Sequence, residues 1–166
     1  MERKMVIKML EWAIPLIIGF LAGLLPNIIS NKYNEKCLRR DKQEYLYESI
    51  TKWYNQFFGQ VQYFILVLDN KIDWNQYLDY KLETNKESNF LKNEIIVNIY
   101  FPKISKPLKE LTTSMQSLYN FIEDEIKESY KKGRNISLYK KKVFEKLMVC
   151  NNLCEKLKND IKNLKI

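Results

Sequence analysis

Hydrophobic positions along the chain follow two different rhythms. From Trp12 to Asn31 the sequence reads WAIPLIIGFLAGLLPNIISN, twenty residues without a charge. At 1.5 Å rise per residue, a helix of that length covers about 30 Å, the thickness of bilayer hydrocarbon. After this run continuity gives way to periodicity. Leu46, Ile50, Trp53, Phe57, Val61, Phe64 and Leu68 recur at steps of three and four, which predicts one long helix from about 30 to 69 with these side chains on one face. Asp73 offers an N-cap for a second, less regular helical stretch ending at Pro102, although the β-branched run from Ile95 to Ile99 reads equally well as a strand.

A third helix is predicted from Pro107, with Leu108, Leu111, Met115, Leu118, Ile122 and Ile126 inward. Gly133 suits a left-handed C-cap, and Ser137 offers a cap for a last helix carrying Val143, Leu147, Cys150, Cys154, Leu157 and Ile161 on its inner face. The expected fold is therefore all-α: a single N-terminal transmembrane helix followed by an antiparallel helical bundle of about four helices. Its parts are a short flank at 1–11, a membrane helix at 12–31 and a soluble bundle domain at 32–166.

Charge sets the expected orientation. Arg3, Lys4 and Lys8 precede the apolar run, while Lys32, Lys36, Arg39, Arg40 and Lys42 follow it, a bias that places the C-terminal domain in the cytoplasm of a single-pass membrane protein. No A-x-A-like cleavage site follows the run, which favours an anchor over a cleaved signal peptide. Within it, Gly19, Ala22 and Gly23 form a strip of small residues that would let two helices approach closely, so homo-oligomerisation through the bilayer is expected. Pro15 and Pro26 sit near its ends, where lost backbone hydrogen bonds cost least.

The net charge of +8 is not evenly spread. Residues 31–130 carry fourteen Lys and Arg against fifteen Asp and Glu, whereas residues 131–166 carry eleven against three. Lys131, Lys132, Arg134, Lys140, Lys141, Lys142 and Lys146 form the densest part, a candidate patch for an acidic protein or a nucleotide. Lys32, Lys36, Arg39, Arg40, Lys156, Lys158, Lys162 and Lys165 are candidates for the lipid surface. The alternative for each group is a solvated helix face.

Chemistry is limited by what is missing. The chain has no histidine, which removes the usual general base and the commonest metal ligand. The three cysteines, Cys37, Cys150 and Cys154, match no disulfide framework and supply too few soft ligands for zinc. Cys150 and Cys154 share the inner face of the last helix and read as core residues, while Cys37 is a weak lipidation candidate. No phosphate-binding glycine loop occurs, so no metal and no cofactor is expected. Glu123 and Glu128 share a helix face, but without histidine they suggest no mechanism. The leading expectation is a non-enzymatic, membrane-anchored interaction or assembly module at the cytoplasmic face. The alternative is a membrane effector whose bundle senses an anionic ligand and whose oligomerised anchor perturbs the bilayer.

Overall fold

The computed structural model describes the backbone of residues 2–84 and 90–164, and the side chains of residues 26, 30–84 and 91–164. The described residues are helical apart from short connections and contain no strand. In order, the helices are α1 (Glu2–Leu68), α2 (Trp74–Thr84), α3 (Phe90–Tyr100), α4 (Ser105–Asn120), α5 (Lys127–Lys131) and α6 (Lys140–Lys162). Single 3₁₀ turns lie at Pro102–Ile104 and Ser137–Tyr139, and a π-helical turn at Phe121–Ile126 joins α4 to α5.

Two compact units divide the chain, residues 1–41 and residues 42–165. The first is helical backbone within α1, and its described side chains from Ser30 to Asp41 are exposed or, at Cys37, half-buried. Among the described residues no helix is long and apolar enough to cross a membrane. Apart from Pro26, Ser30 and Asn31, the side chains of the run at 12–31 lie outside the described residues, including those of Gly19, Ala22 and Gly23.

The second unit is a bundle whose core the periodicity anticipates. Leu46, Ile50, Phe57, Val61, Phe64 and Leu68 are buried on α1. Facing them are Leu108, Leu111, Met115, Leu118, Ile122 and Ile126, together with Val143, Leu147, Cys150, Cys154, Leu157 and Ile161. Contacts between side chains give the directions. Along α1 from Phe64 back to Tyr45, the partners met are Trp74 and Tyr77, then Tyr80, then Lys92, so α2 and α3 both run antiparallel to α1. Ser114 meets Cys150, and Tyr119 meets Phe57. Farther along, Tyr130 meets Trp74, so α4 and α5 run with α1. Lys140 pairs with Asp69 and Ile161 accepts from Gln43, returning α6 antiparallel. The pattern is up, down, up, down, with α2 and α3 both in the second limb.

The expected second helical stretch is described as two helices, α2 and α3, and residues 85–89 between them lie outside the described residues. The inward residues of α2 are Trp74 and Tyr77, and those of α3 are Asn93, Ile96 and Val97. At 3.6 residues per turn the two arcs are out of phase by roughly 125°, so the inward faces of α2 and α3 do not form one straight stripe. The strand alternative for 95–99 is excluded, because Phe90–Tyr100 is helix. Asp73 does cap α2: its Oδ1 accepts from the Gln76 N–H at 2.9 Å while Gln76 Oε1 accepts from the Asp73 N–H at 2.9 Å, a reciprocal capping box.

Helix ends elsewhere are equally local in origin. α1 stops at Asn70, which adopts φ 55°, with the Lys71 N–H bonded to the Leu66 carbonyl and the Asn70 N–H to that of Val67. The same pair of bonds closes α5, from Arg134 to Ser129 and from Gly133 to Tyr130, with Gly133 at φ 63°. These are Schellman terminations. α4 starts two residues earlier than expected, at Ser105. Ser137 does not cap the last helix. Its N–H and hydroxyl both donate to Asn135 Oδ1, at 3.0 and 2.7 Å, and it opens a 3₁₀ turn instead.

Gly59 permits a close approach of α2 to α1. A Cβ built there would lie 3.3 Å from the Tyr80 hydroxyl, and the adjacent Tyr63 and Tyr80 rings stack at 4.3 Å. Beside this contact, Gln60 is 1 % exposed. It accepts a hydrogen bond from Tyr119 and donates to Thr84 Oγ1 at 2.7 Å, and Thr84 donates in turn to the Tyr80 carbonyl at 2.9 Å. One buried polar chain thus ties α1, α2 and α4 together. Cys150 and Cys154 are core residues as expected, fully buried, and burial pushes the Cys154 thiol up to about 11. A thiol held protonated in the core is unsuited to redox or metal chemistry at neutral pH.

Candidate functional site

The basic residues predicted to form a patch surround the α5–α6 turn, but they are not an uncompensated cationic surface. Lys131 and Lys132 pair with Glu128 at 3.4 and 3.7 Å, Lys140 with Asp69 at 2.6 Å, and Lys142 with Glu125 at 3.6 Å. Lys141 reaches Glu145 at only 4.0 Å, and Lys146 donates to Ser117 Oγ at 3.0 Å. Arg134 is exposed, and no ion pair among the described residues engages it. Exposed pairs of this kind are worth at most about 1 kcal/mol each, but they lower the field that an anion would meet. Glu123 and Glu128, expected on one helix face, are five residues apart, about 140° at helical pitch, and differ in role: Glu128 is part of this exposed network, and Glu123 is not.

Glu123 sits in the π turn, where its two oxygens accept from Lys81 and Lys127, each at 2.9 Å. Lys81 also lies over the rings of Tyr119 at 4.9 Å and Tyr77 at 6.0 Å. Burial raises the Glu123 pKa, but the hydrogen bonds and charges of Lys81 and Lys127 outweigh it and hold the carboxyl below its ordinary 4.5. A depressed folded value means that this network's stabilisation is complete above pH 4.5 and is lost as pH falls through the lower folded value. Glu123→Gln should therefore lower the urea midpoint at pH 7. The gap to wild type should close when both are measured well below pH 4.5.

The π turn also borders a concavity of the bundle. A groove of about 920 Å³ runs over the outer face of α4 between α3 and α6. Its floor carries Thr112, Thr113, Gln116 and Asn120, its α6 wall Lys142 and Lys146, and its α3 wall Glu94 and Asn98. At one end Lys142 and Lys146 lie over the Phe121 ring, at 4.3 and 5.6 Å. Single π turns often occur at functional sites, because the extra residue re-aims neighbouring side chains. Here it brings both Phe121 and Ile122 into the core while Asp124 and Glu125 line the groove. Three lysines, Lys109, Lys142 and Lys146, face three carboxylates, Glu94, Asp124 and Glu125. The groove is thus balanced in charge and rich in hydroxyl and amide groups. Along the lining from Ser105 to Asp124 it extends about 28 Å at helical rise.

Sequence reading named Lys142 and Lys146 as candidates for an anionic ligand but missed the groove they border. α3 and α6 are more than forty residues apart in the chain, and no local periodicity reports which polar faces meet.

The lipid-surface candidates fall in both units. Lys32, Lys36, Arg39 and Arg40 are exposed on residues 1–41, with Arg39 paired to Glu35 at 3.0 Å. Lys156, Lys158 and Lys162 are on the last two turns of α6, where Lys158 pairs with Glu155 at 2.6 Å and Lys162 covers the Tyr47 ring at 4.9 Å. Lys165 lies outside the described residues. Among the described residues no cluster of three or more His, Cys, Asp or Glu could hold a metal ion. No known family, no curated protein and no solved structure matches the chain.

Proposed function

We propose that the chain is a single-pass membrane protein in which residues 12–31 span the bilayer and the bundle is a non-enzymatic interaction and assembly module at the cytoplasmic face. The observation that carries this reading is the uncharged run at 12–31, which lies in an unbroken helical backbone leading into the bundle's own first helix. A run of twenty such residues is long enough to cross hydrocarbon, and a helix satisfies its backbone polar groups there. The excess of Lys and Arg after the run supports a cytoplasmic bundle.

The groove over α4 is the face offered to a partner. Its balanced charge and its hydroxyl and amide lining favour an extended polypeptide segment, whose backbone needs both donors and acceptors, over a nucleotide or bare phosphate. The effector reading, in which the bundle senses an anion, rests on Lys142 and Lys146 at one end of this groove, and Glu125 beside Lys142 weakens it.

Topology is tested with Arg134→Cys in a Cys37→Ser background, since Arg134 is exposed in the α5–α6 turn and Cys150 and Cys154 are buried. In intact cells a membrane-impermeant maleimide should leave the protein unlabelled, and permeabilisation should label it fully. Labelling without permeabilisation overturns the cytoplasmic assignment.

A further inference from the structure

α3 is apolar on two sides. Its inner arc, Asn93, Ile96 and Val97, is buried in the bundle. Its outer arc carries Leu91, Ile95 and Ile99, exposed to 73, 57 and 66 %. At 3.6 residues per turn these three fall within about 80° of one another, opposite the buried arc. Scattered exposed aliphatics need no explanation, but three in register on consecutive turns form one strip about 12 Å long. The strip's flanks are of opposite sign. Lys92 borders it on one side, against the Tyr45 ring at 4.5 Å, and Glu94, at the groove wall, borders it on the other.

From this arrangement we infer that the outer face of α3 is a homodimer surface, packing in parallel against α3 of a second copy. The charges select both the partner and the direction. With a two-fold axis running along α3, the Lys92 flank of each copy meets the Glu94 flank of the other. An antiparallel pairing would set Lys92 against Lys92 and Glu94 against Glu94. Leu91, Ile95 and Ile99 then meet their own equivalents across the axis, and Ile95 lies at the middle of the seam. A strip of three side chains falls well short of the ~800 Å² per partner typical of a stable interface. The pairing therefore depends on two copies sharing a membrane, where tethering supplies a high effective concentration. In this respect it rests on the anchored reading above.

The test is oxidative cross-linking of the full-length protein in native membranes, with Ile95→Cys in a Cys37→Ser background. Met148→Cys, equally exposed on α6 at a wild-type value of 57 %, is the control for collision. Copper phenanthroline should convert the Ile95→Cys protein to disulfide dimer faster than the control by about tenfold or more, as expected for a held rather than a colliding pair. Lys92→Glu should slow the reaction, and adding Glu94→Lys should restore it. Cross-linking no faster than the control overturns the inference, whichever of two results accompanies it. A cysteine at 95 shielded from soluble maleimide means that lipid or another protein covers the strip, and a freely reactive one means that the strip is bare. Carbonate extraction of the same samples separates this from the anchor. Protein retained in membranes without cross-linking refutes the pairing alone. Protein released with cross-linking intact refutes the anchor and the dependence of the pairing on it, and loss of both refutes both.

Discussion

A chain beginning at Lys32 should appear in the soluble fraction and give a helical circular dichroism spectrum, whereas the full-length protein should stay in the membrane pellet through an alkaline carbonate wash. The segment removed contains ten Leu, Ile and Phe within twenty uncharged residues. At about −0.3 to −0.6 kcal/mol for each such residue near a helix centre, their insertion is favourable by several kcal/mol, with no charge to oppose it. What remains has its own core. Leu46, Ile50, Val61, Phe64, Leu111, Leu118, Ile122, Leu157 and Ile161 are buried in the unit at 42–165. The expected shift is from almost complete retention to almost complete release. Carbonate release of the full-length chain would refute the membrane span. Dependence of the shorter chain on detergent would refute the bundle's independence from it.

Gln60→Ala should cause the largest loss of stability from a single substitution at a polar position in the bundle, on the order of 4 kcal/mol, and lower the melting temperature by on the order of 15 °C. The change removes the acceptor for the hydroxyl of the half-buried Tyr119 and the donor to Thr84, and leaves a cavity where α1, α2 and α4 meet. Thr84 keeps its bond to the Tyr80 carbonyl, so the main cost is the stranded Tyr119 hydroxyl plus the void. Burial already pushes that hydroxyl's pKa up, and ionisation offers it no escape. Adding Tyr119→Phe to Gln60→Ala should recover about 1–2 kcal/mol, because an absent hydroxyl costs less than an unpaired one. If the double variant is no more stable than Gln60→Ala in urea titrations, the hydroxyl was not stranded and the loss lies in packing alone.

Particular residues show how far local pattern carries. The three- and four-residue steps of α1, α4 and α6 mark the buried side chains, including the cysteine pair, except at Trp53, which is half-buried while Tyr54 beside it is in the core, because a helix that packs on one side needs one apolar stripe and nothing else. Asp73 and Gly133 are equally legible, since a capping box and a left-handed C-cap involve residues within a few positions of each other. α3 is the opposite case. Apolar on both arcs, it has no period to read, and Ile95, Val97 and Ile99 favour a strand in isolation. Packing of Ile96 and Val97 into the bundle makes it a helix and leaves Leu91, Ile95 and Ile99 outside.

The basic cluster shows the same limit in charge. Counted along the chain it is a strong excess, yet in space Asp69, Glu125 and Glu128 answer much of it. Asp69 is seventy-one residues from Lys140, its partner. The sequence by itself determined the helical class, the buried stripes, most of the helix ends and the existence of one uncharged run long enough for a membrane, because each depends on residues no more than a few turns apart. Only the tertiary structure decided the change of inward face from α2 to α3, the Gln60 chain, the groove over α4, the pairing of the lysines and the bare face of α3. Each of those depends on which helix faces which, and that is settled when the stripes bury one another, not while each helix is read alone.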